Sequence, residues 1–433
     1  MLLCAYLYLP KRYFLLASIT RFVLLGFVTT ILTILLILPV AYAGTEAKTL
    51  INSLHQKEAR RDKPLAAGRA TQVGSLAFKT RDGVLTTQLK GRLQLDATRY
   101  SGHHNMDGGT EARRAYLTLQ GTIHDDWGYR WQYDFANTGP NGKGILDSYI
   151  EYLGFNSVNL RLGNFKEPFT LHEKTSDNFV TFTERALLAA FSPGRRLGAM
   201  TSHGGKNWTW AVGLFDESIA NKKGSVDGGW GASGRMTYAP INEAGQLVHL
   251  GAGANYRDAN VVRFKQTPET HIAGVNIVDT GTILATKNVV KLGAEFAAVF
   301  GSFSAQAEYI LTSVNRSDGS NLVFDGWYVE TACFITGESR QYKYGKFAKP
   351  LPQPKVGQDG VGAWQLALRY STLDLNDGLI EGGETDAMTL GLNWFPTPTL
   401  RFTANYIDVL DTDGGANDGL APSFFQLRSQ WVF

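Results

Sequence analysis

From about residue 88 onward the chain alternates with a period of two. Between Trp127 and Phe135 the aromatics Trp127, Tyr129, Trp131, Tyr133 and Phe135 fall on one face, and Gly128, Arg130, Gln132 and Asp134 on the other. Successive side chains of a strand point to opposite faces, so the segment has one apolar wall and one wet wall. Five aromatics on one face would be ruinous in water, yet the opposite face is charged; a wall between lipid and a watery lumen satisfies both. The closing decamer repeats the pattern, with Phe425, Leu427, Trp431 and Phe433 against Gln426, Arg428 and Gln430, broken only by Ser429. Its length is about what a tilted strand needs to cross a bilayer.

Similar runs bounded by turn signals predict strands over 88–100, 111–122, 127–137, 145–154, 157–165, 195–204, 207–217, 229–240, 246–258, 287–299, 302–314, 322–336, 361–374, 384–395, 399–410 and 422–433. These make sixteen, an even number as single-chain bacterial barrels require. The fold class expected is therefore all-β, a 16-stranded antiparallel transmembrane β-barrel spanning residues 88–433. Short turns such as Gly154-Phe155-Asn156 alternate with longer polar loops such as 411–421. The Lys- and Pro-rich stretch 337–360 is an exception, long but on the short-turn side. Within 166–194, the third outer loop, Phe169, Leu171, Phe179, Val180, Phe182, Ala186, Leu187 and Leu188 are too apolar for a solvent-exposed segment. It is expected to fold inward and narrow the channel; a lid on neighbouring outer loops is the other reading.

The start of the chain is of another kind. Lys11, Arg12 and Arg21 precede an apolar run from Phe22 to Val40, followed by Ala41-Tyr42-Ala43. This is the pattern of a secretory signal over residues 1–43, and Pro39 with the small-residue site favours cleavage over a retained anchor. Residues 44–87 read as a short periplasmic segment, with Glu46 to Arg61 either a helix, the favoured reading, or a disordered lead-in.

Composition agrees with a barrel: 12% aromatic residues and 47 glycines. Cys4 leaves with the signal and Cys333 is alone, so no disulfide framework is expected. Of 42 Lys+Arg, three lie in the signal, and 39 Asp+Glu balance the rest. Bulk charge is silent, but its placement is not. With the more apolar face of each strand turned to lipid, Lys90, Arg92, Arg114, Arg130, Arg161, Arg235, Arg257, Lys291, Arg369, Arg401 and Arg428 face the lumen. Asp96, Asp134, Asp147, Glu151, Glu295 and Glu308 join them. A cation excess in a narrow channel raises the local anion concentration, and arginine's planar fork matches phosphate. The alternative is the transverse field of any general porin. Parity places Arg113 outward, with Ala115 and Leu117. His103 and His104 beside Asp107 make a weak metal constellation against a solvated loop, and no metal or other cofactor is expected. His203 and His249 fall on separate strands without a nucleophile, which speaks against an enzyme.

Several words of the sequence resemble the phosphate-selective porin O and P family. They are Glu111-Ala-Arg-Arg-Ala-Tyr116, Asp126-Trp-Gly-Tyr129, Gly154-Phe-Asn-Ser-Val-Asn-Leu160, Thr181-Phe-Thr-Glu-Arg185, Phe303-Ser-Ala-Gln-Ala-Glu-Tyr309 and Thr336-Gly-Glu-Ser-Arg-Gln-Tyr-Lys343. The resemblance implies a homotrimeric porin in the outer membrane of a Gram-negative bacterium, contacting lipid and small anionic solutes but no nucleic acid. In that family anions pass a ladder of lumenal arginines to a constriction in the third loop. Carried over, the family's arginine pair falls on Arg113 and Arg114 and its constriction aspartate on Asp147. Lys166 and Lys174 are the nearest loop cations, each out of register, with Glu173 and Asn178 at or near the family's lysine places. The anion pathway expected is Arg92, Arg113, Arg114, Arg130, Asp147, Arg161, Lys166, Lys174, Arg369, Arg401 and Arg428. Passive passage of phosphate or polyphosphate is the leading expectation. A non-selective diffusion porin of the same fold is the alternative, and a barrel enzyme or adhesin the third.

Overall fold

The computed structural model describes residues 76–433, except 102–105, 107, 137–143, 220–228, 273, 320, 352–355 and 358–359. The expected helix at 46–61 and the His103–His104–Asp107 constellation lie outside the described residues.

Sixteen antiparallel strands form one closed barrel. They are β1 Leu85–Ser101, β2 Gly109–Ile123, β3 Trp127–Asp134, β4 Gly144–Tyr152, β5 Asn159–Lys166, β6 Arg195–Gly204, β7 Trp208–Phe215 and β8 Gly231–Glu243. The second half comprises β9 Gln246–Asp258, β10 Thr286–Phe300, β11 Phe303–Arg316, β12 Leu322–Phe334, β13 Ala363–Asp377, β14 Ile380–Thr397, β15 Leu400–Asp413 and β16 Ser423–Val432. Each pairs with the next in the chain. β16 closes on β1, with Asp96 opposite Arg428 and Leu93 opposite Trp431. Closure leaves no sheet edge, the condition for a sheet to stand in hydrocarbon. The seam runs to the last residue, where Gly91 and Phe433 exchange backbone hydrogen bonds of 3.0 and 3.1 Å. A short strand, Leu76–Lys79, pairs with the start of β1, which begins at Leu85.

Alternation is visible in the burial. On β16, Phe425, Leu427 and Trp431 are exposed while Gln426, Arg428 and Gln430 are buried. Apolar side chains therefore face outward and polar ones inward, the inverse of a soluble protein. Two places depart from simple parity. A β-bulge on β2 puts Arg114 opposite Gln94 but Ala112 opposite Leu95, so Arg113 is the extra residue. A bulged residue is re-aimed by the local kink. The outward place that parity gives Arg113 is thereby corrected: its guanidinium meets Glu184 of the third loop. On β12 the inward face carries Leu322, Phe324 and Phe334 beside Glu330, all buried.

Those apolar residues belong to a core that the wall shares with two loops. Phe169, Leu187, Leu188 and Phe191 of the third loop pack with Phe264, Ile277 and Ile283 of the loop after β9, and with Ile310, Phe324, Leu373 and Ile407 of the wall. The stretch after β12 is also structured. Tyr342–Lys343 and Lys346–Phe347 form a small hairpin. Its Tyr342 hydroxyl lies 2.6 Å from His249 Nδ1, and its Gly345 carbonyl accepts from Arg235 at 2.8 Å.

Candidate functional site

The third outer loop leaves β5 at Lys166 and re-enters β6 at Arg195. Its entry is fixed by Glu167, which is buried and accepts from Asn255 and Arg257 at 2.8 Å each and from Ser233 at 2.5 Å. Room for the backbone comes from two glycines paired across β9 and β10, Gly253 and Gly293. A Cβ at Gly253 would stand 2.2 Å from the Phe169 carbonyl oxygen. One helical turn follows, Leu171–Lys174, whose His172 amide donates to Glu308 at 2.6 Å. Arg185 spans the loop, donating to the carbonyls of His172 at 3.0 Å and Thr175 at 2.8 Å and to the Asp177 carboxylate.

The second half of the loop is held by the wall formed by β1, β2 and β13–β16. Arg401 donates to the carbonyls of Val180 at 2.7 Å and Thr181 at 2.5 Å, and to Asn393 at 2.8 Å. Arg428 pairs with Asp96 at 2.6 Å and Glu184 at 2.7 Å. Arg369 pairs with Glu269, donates to the Glu184 carbonyl at 3.1 Å, and stacks on Phe182 at 4.3 Å. Arg113 grips Glu184 with two bonds of 2.9 and 3.1 Å, and Arg114 lies 3.5 Å from the same carboxylate. Arg92 meets Asp177 at 3.5 Å and stacks on Tyr116. Burial alone would push the Glu184 carboxyl up; Arg113, Arg114 and Arg428 outweigh it and hold it well below the usual carboxylate range.

The wall of β3–β6 is different. Asp147 is shared by Arg195 at 2.7 Å and Arg130 at 3.0 Å. Arg161 pairs with Glu151 at 2.9 Å and lies over the Tyr149 ring at 4.2 Å. These side chains retain accessible surface, 28% for Arg130 and 21% each for Arg161 and Arg195, against 3% for Arg428 and 1% for Arg369. The arginines of β3–β6 therefore keep more accessible surface than Arg369 and Arg428 on the wall that carries the loop.

Two lysines reach this side from different loops. Lys174 donates to the Lys166 carbonyl at 3.1 Å, while Lys166 pairs with Glu173 at 3.1 Å. Lys346 comes from the hairpin after β12. Burial pushes the Lys174 ammonium well below the ordinary lysine value, and Arg161, Lys346 and Arg235 push the same way. Burial lowers Lys346 too, joined by Arg161, Arg130 and Arg235. Both lysines thus feel the same arginines, and such crowding of like charges lowers the cost of bringing in an anion.

Of the residues expected along an anion path, the structure brings together Arg130, Asp147, Arg161, Lys166 and Lys174. Arg92, Arg113, Arg114, Arg369, Arg401 and Arg428 sit instead under the third loop, each with polar partners. Pattern reading missed Lys346, Arg195, Glu184 and Glu269. Lys346 lies in a stretch whose path no local period reveals. Arg195 heads β6, where parity over a strand start is ambiguous. Among the described residues no group of histidine, cysteine, aspartate and glutamate side chains could hold a metal ion. His203 stacks on Trp208 and His249 lies 3.0 Å from Glu295.

Over residues 87–433 the sequence matches the family model described as phosphate-selective porin O and P. It is 30% identical over 408 residues to Porin O of Pseudomonas aeruginosa, covering 83% of this chain and 91% of that protein. An uncharacterized protein of Caulobacter vibrioides is 32% identical over 363 residues, covering 79% of this chain and 72% of the relative. Among solved structures, an anion-selective porin from Comamonas acidovorans aligns with a TM-score of 0.51 at 13% identity, over 81% of this chain and 100% of the other. OmpT of Vibrio cholerae, in-vitro folded and in trimer form, aligns at 0.52 and 11% identity, with the same coverage. At such identities the structural likeness speaks for the fold alone.

Proposed function

Because the chain belongs to the phosphate-selective porin O and P family and resides in the Gram-negative outer membrane, we propose that it is a passive channel for small anions of the phosphate class. The third loop is the constriction, folded into the lumen against the arginines that hold it. Anions pass on the other side, along Arg130, Arg161 and Arg195, to a narrow point between Lys174 and Lys346. The observation that carries this reading is the packing of the Leu171–Lys174 turn against the Lys346–Phe347 strand, which sets Lys174 and Lys346, from separate loops, near each other. The six remaining pathway candidates act as fasteners of the loop. Asp147 keeps Arg130 and Arg195 extended into the lumen, and its single charge leaves the pair net positive.

Residues 1–43 serve as the export signal, and the exposed apolar band of the barrel contacts lipid. Three copies assemble, as in the trimer form of the Vibrio cholerae porin. Transport is diffusion down a gradient. A non-selective pore is the second reading, favoured by the many carboxylates that pair with lumenal cations, among them Asp147, Glu151 and Glu173.

Chloride current through single channels, titrated with inorganic phosphate, separates the two. Block at millimolar phosphate, relieved in Lys174→Gln and Lys346→Gln, supports the anion site. Current indifferent to phosphate returns the protein to the general-diffusion class.

A further inference from the structure

The loop between β9 and β10 carries an unusual residue. Glu269 is a non-glycine residue at φ +54°, a conformation L side chains rarely adopt, and it is buried. Its carboxylate accepts from Arg369 Nε at 3.1 Å and also from Nη2, from Ser371 at 2.5 Å and from Thr389 at 2.6 Å. A guanidinium flanked by two hydroxyls is a donor set suited to an oxyanion, and here a side chain of the protein fills it. Two residues further on, His271 meets Glu111 at the start of β2 at 2.9 Å, and Ile272 lies against Gly109.

These two anchorages are on different parts of the barrel. Arg369, Ser371 and Thr389 belong to β13 and β14, whereas Gly109 and Glu111 belong to β2; β15, β16 and β1 lie between them in the closed sheet. The segment that joins them must cross the inside of the wall. Arg369 also holds the third loop through the Glu184 carbonyl and the Phe182 ring. One arginine therefore fastens both loops.

We propose that residues 267–272 form a strap across the outer part of the lumen, latched by Glu269 acting as an internal anion on Arg369, Ser371 and Thr389. The strained backbone at Glu269 is held by its four donors, so the latch opens when those hydrogen bonds are weakened. Opening frees the strap and widens the outer half of the lumen. This rests on the channel reading above, and the experiment keeps the two apart.

The test is single-channel recording of the full protein, with Glu269→Gln compared with wild type. The glutamine keeps the size and loses the charge. The expected result is repeated excursions to a conductance level above the wild-type one. A disulfide between Gly109→Cys and Ile272→Cys, made in a Cys333→Ala background, should abolish the excursions, and reductant should restore them. A Glu269→Gln trace as steady as wild type overturns the strap, as do excursions that persist with the disulfide formed. If Glu269→Gln does not fold, Thr389→Val decides: it removes one hydroxyl, so rarer excursions are expected and a steady trace overturns the proposal. Absence of any wild-type current would instead overturn the channel reading.

Discussion

Replacing Lys174 by glutamate bears most directly on where anions pass. The ammonium is tied to the Lys166 carbonyl at 3.1 Å and lies within the influence of Arg161, Lys346 and Arg235. The substitution moves the local charge by two units. For an ion about 6 Å away in an effective dielectric of roughly 60, each unit is worth about 1 kcal/mol, so the change is about 2 kcal/mol before screening. Physiological salt, with a Debye length of ~8 Å, roughly halves it. An anion loses what a cation gains, so their ratio moves by about 2 kcal/mol, roughly thirtyfold. The assay is the zero-current potential across a planar bilayer in a KCl gradient. Lys206→Glu is the control, since that side chain is 74% exposed. Anion preference should collapse or reverse in Lys174→Glu and persist in the control. An unchanged potential in a folded Lys174→Glu protein would refute the placement of the third loop beside the current.

Three further outcomes follow from the same geometry. Glu184→Gln leaves Arg113, Arg114 and Arg428 without their shared carboxylate. Breaking a buried pair costs about 3–5 kcal/mol, so the folded, heat-modifiable band should be lost at a lower temperature than in wild type. The lowered Lys174 gives a pH dependence of definite sign: its charge is present at acid pH and lost as pH rises, before an ordinary lysine titrates at roughly 10.4. Anion preference measured against pH should therefore fall on the alkaline side, while Lys174→Gln shows no such fall. Gly91→Val tests the seam, because a Cβ there would stand 1.9 Å from the Phe433 ring. The fraction of protein reaching the folded band should drop, whereas Phe433→Ala in the same chain should relieve the clash.

Much of the wall was legible in the sequence, for a physical reason. A strand between lipid and water must alternate, so β3 and β16 announce themselves through Trp127–Phe135 and Phe425–Trp431. Parity failed where the backbone or the surroundings broke its premise. At Arg113 an added residue shifts the register, and no side-chain pattern marks a bulge. On β12 the inward face is apolar because loops pack against it, so polarity no longer distinguishes lipid from lumen, and Glu330 escaped notice. The hydrophobicity of 166–194 did signal a packed loop. The partners of that loop were hidden, since Glu184 meets Arg428 and Glu269 meets Arg369 across more than a hundred intervening residues or nearly so. Lumenal position alone did not separate an arginine that keeps accessible surface from one that clasps a carbonyl. Arg130 and Arg401 look alike in sequence, yet only the first keeps open surface.

If anions pass beside β3–β6, selectivity should reside in the arginines of that wall. The most direct measurement is the zero-current potential of the wild-type protein in a tenfold KCl gradient. The prediction is a potential of the sign set by chloride, shifted toward zero in Arg130→Gln and Arg161→Gln but unmoved in Lys206→Gln, whose side chain is 74% exposed. A wild-type potential near zero, or one of potassium's sign, would contradict it.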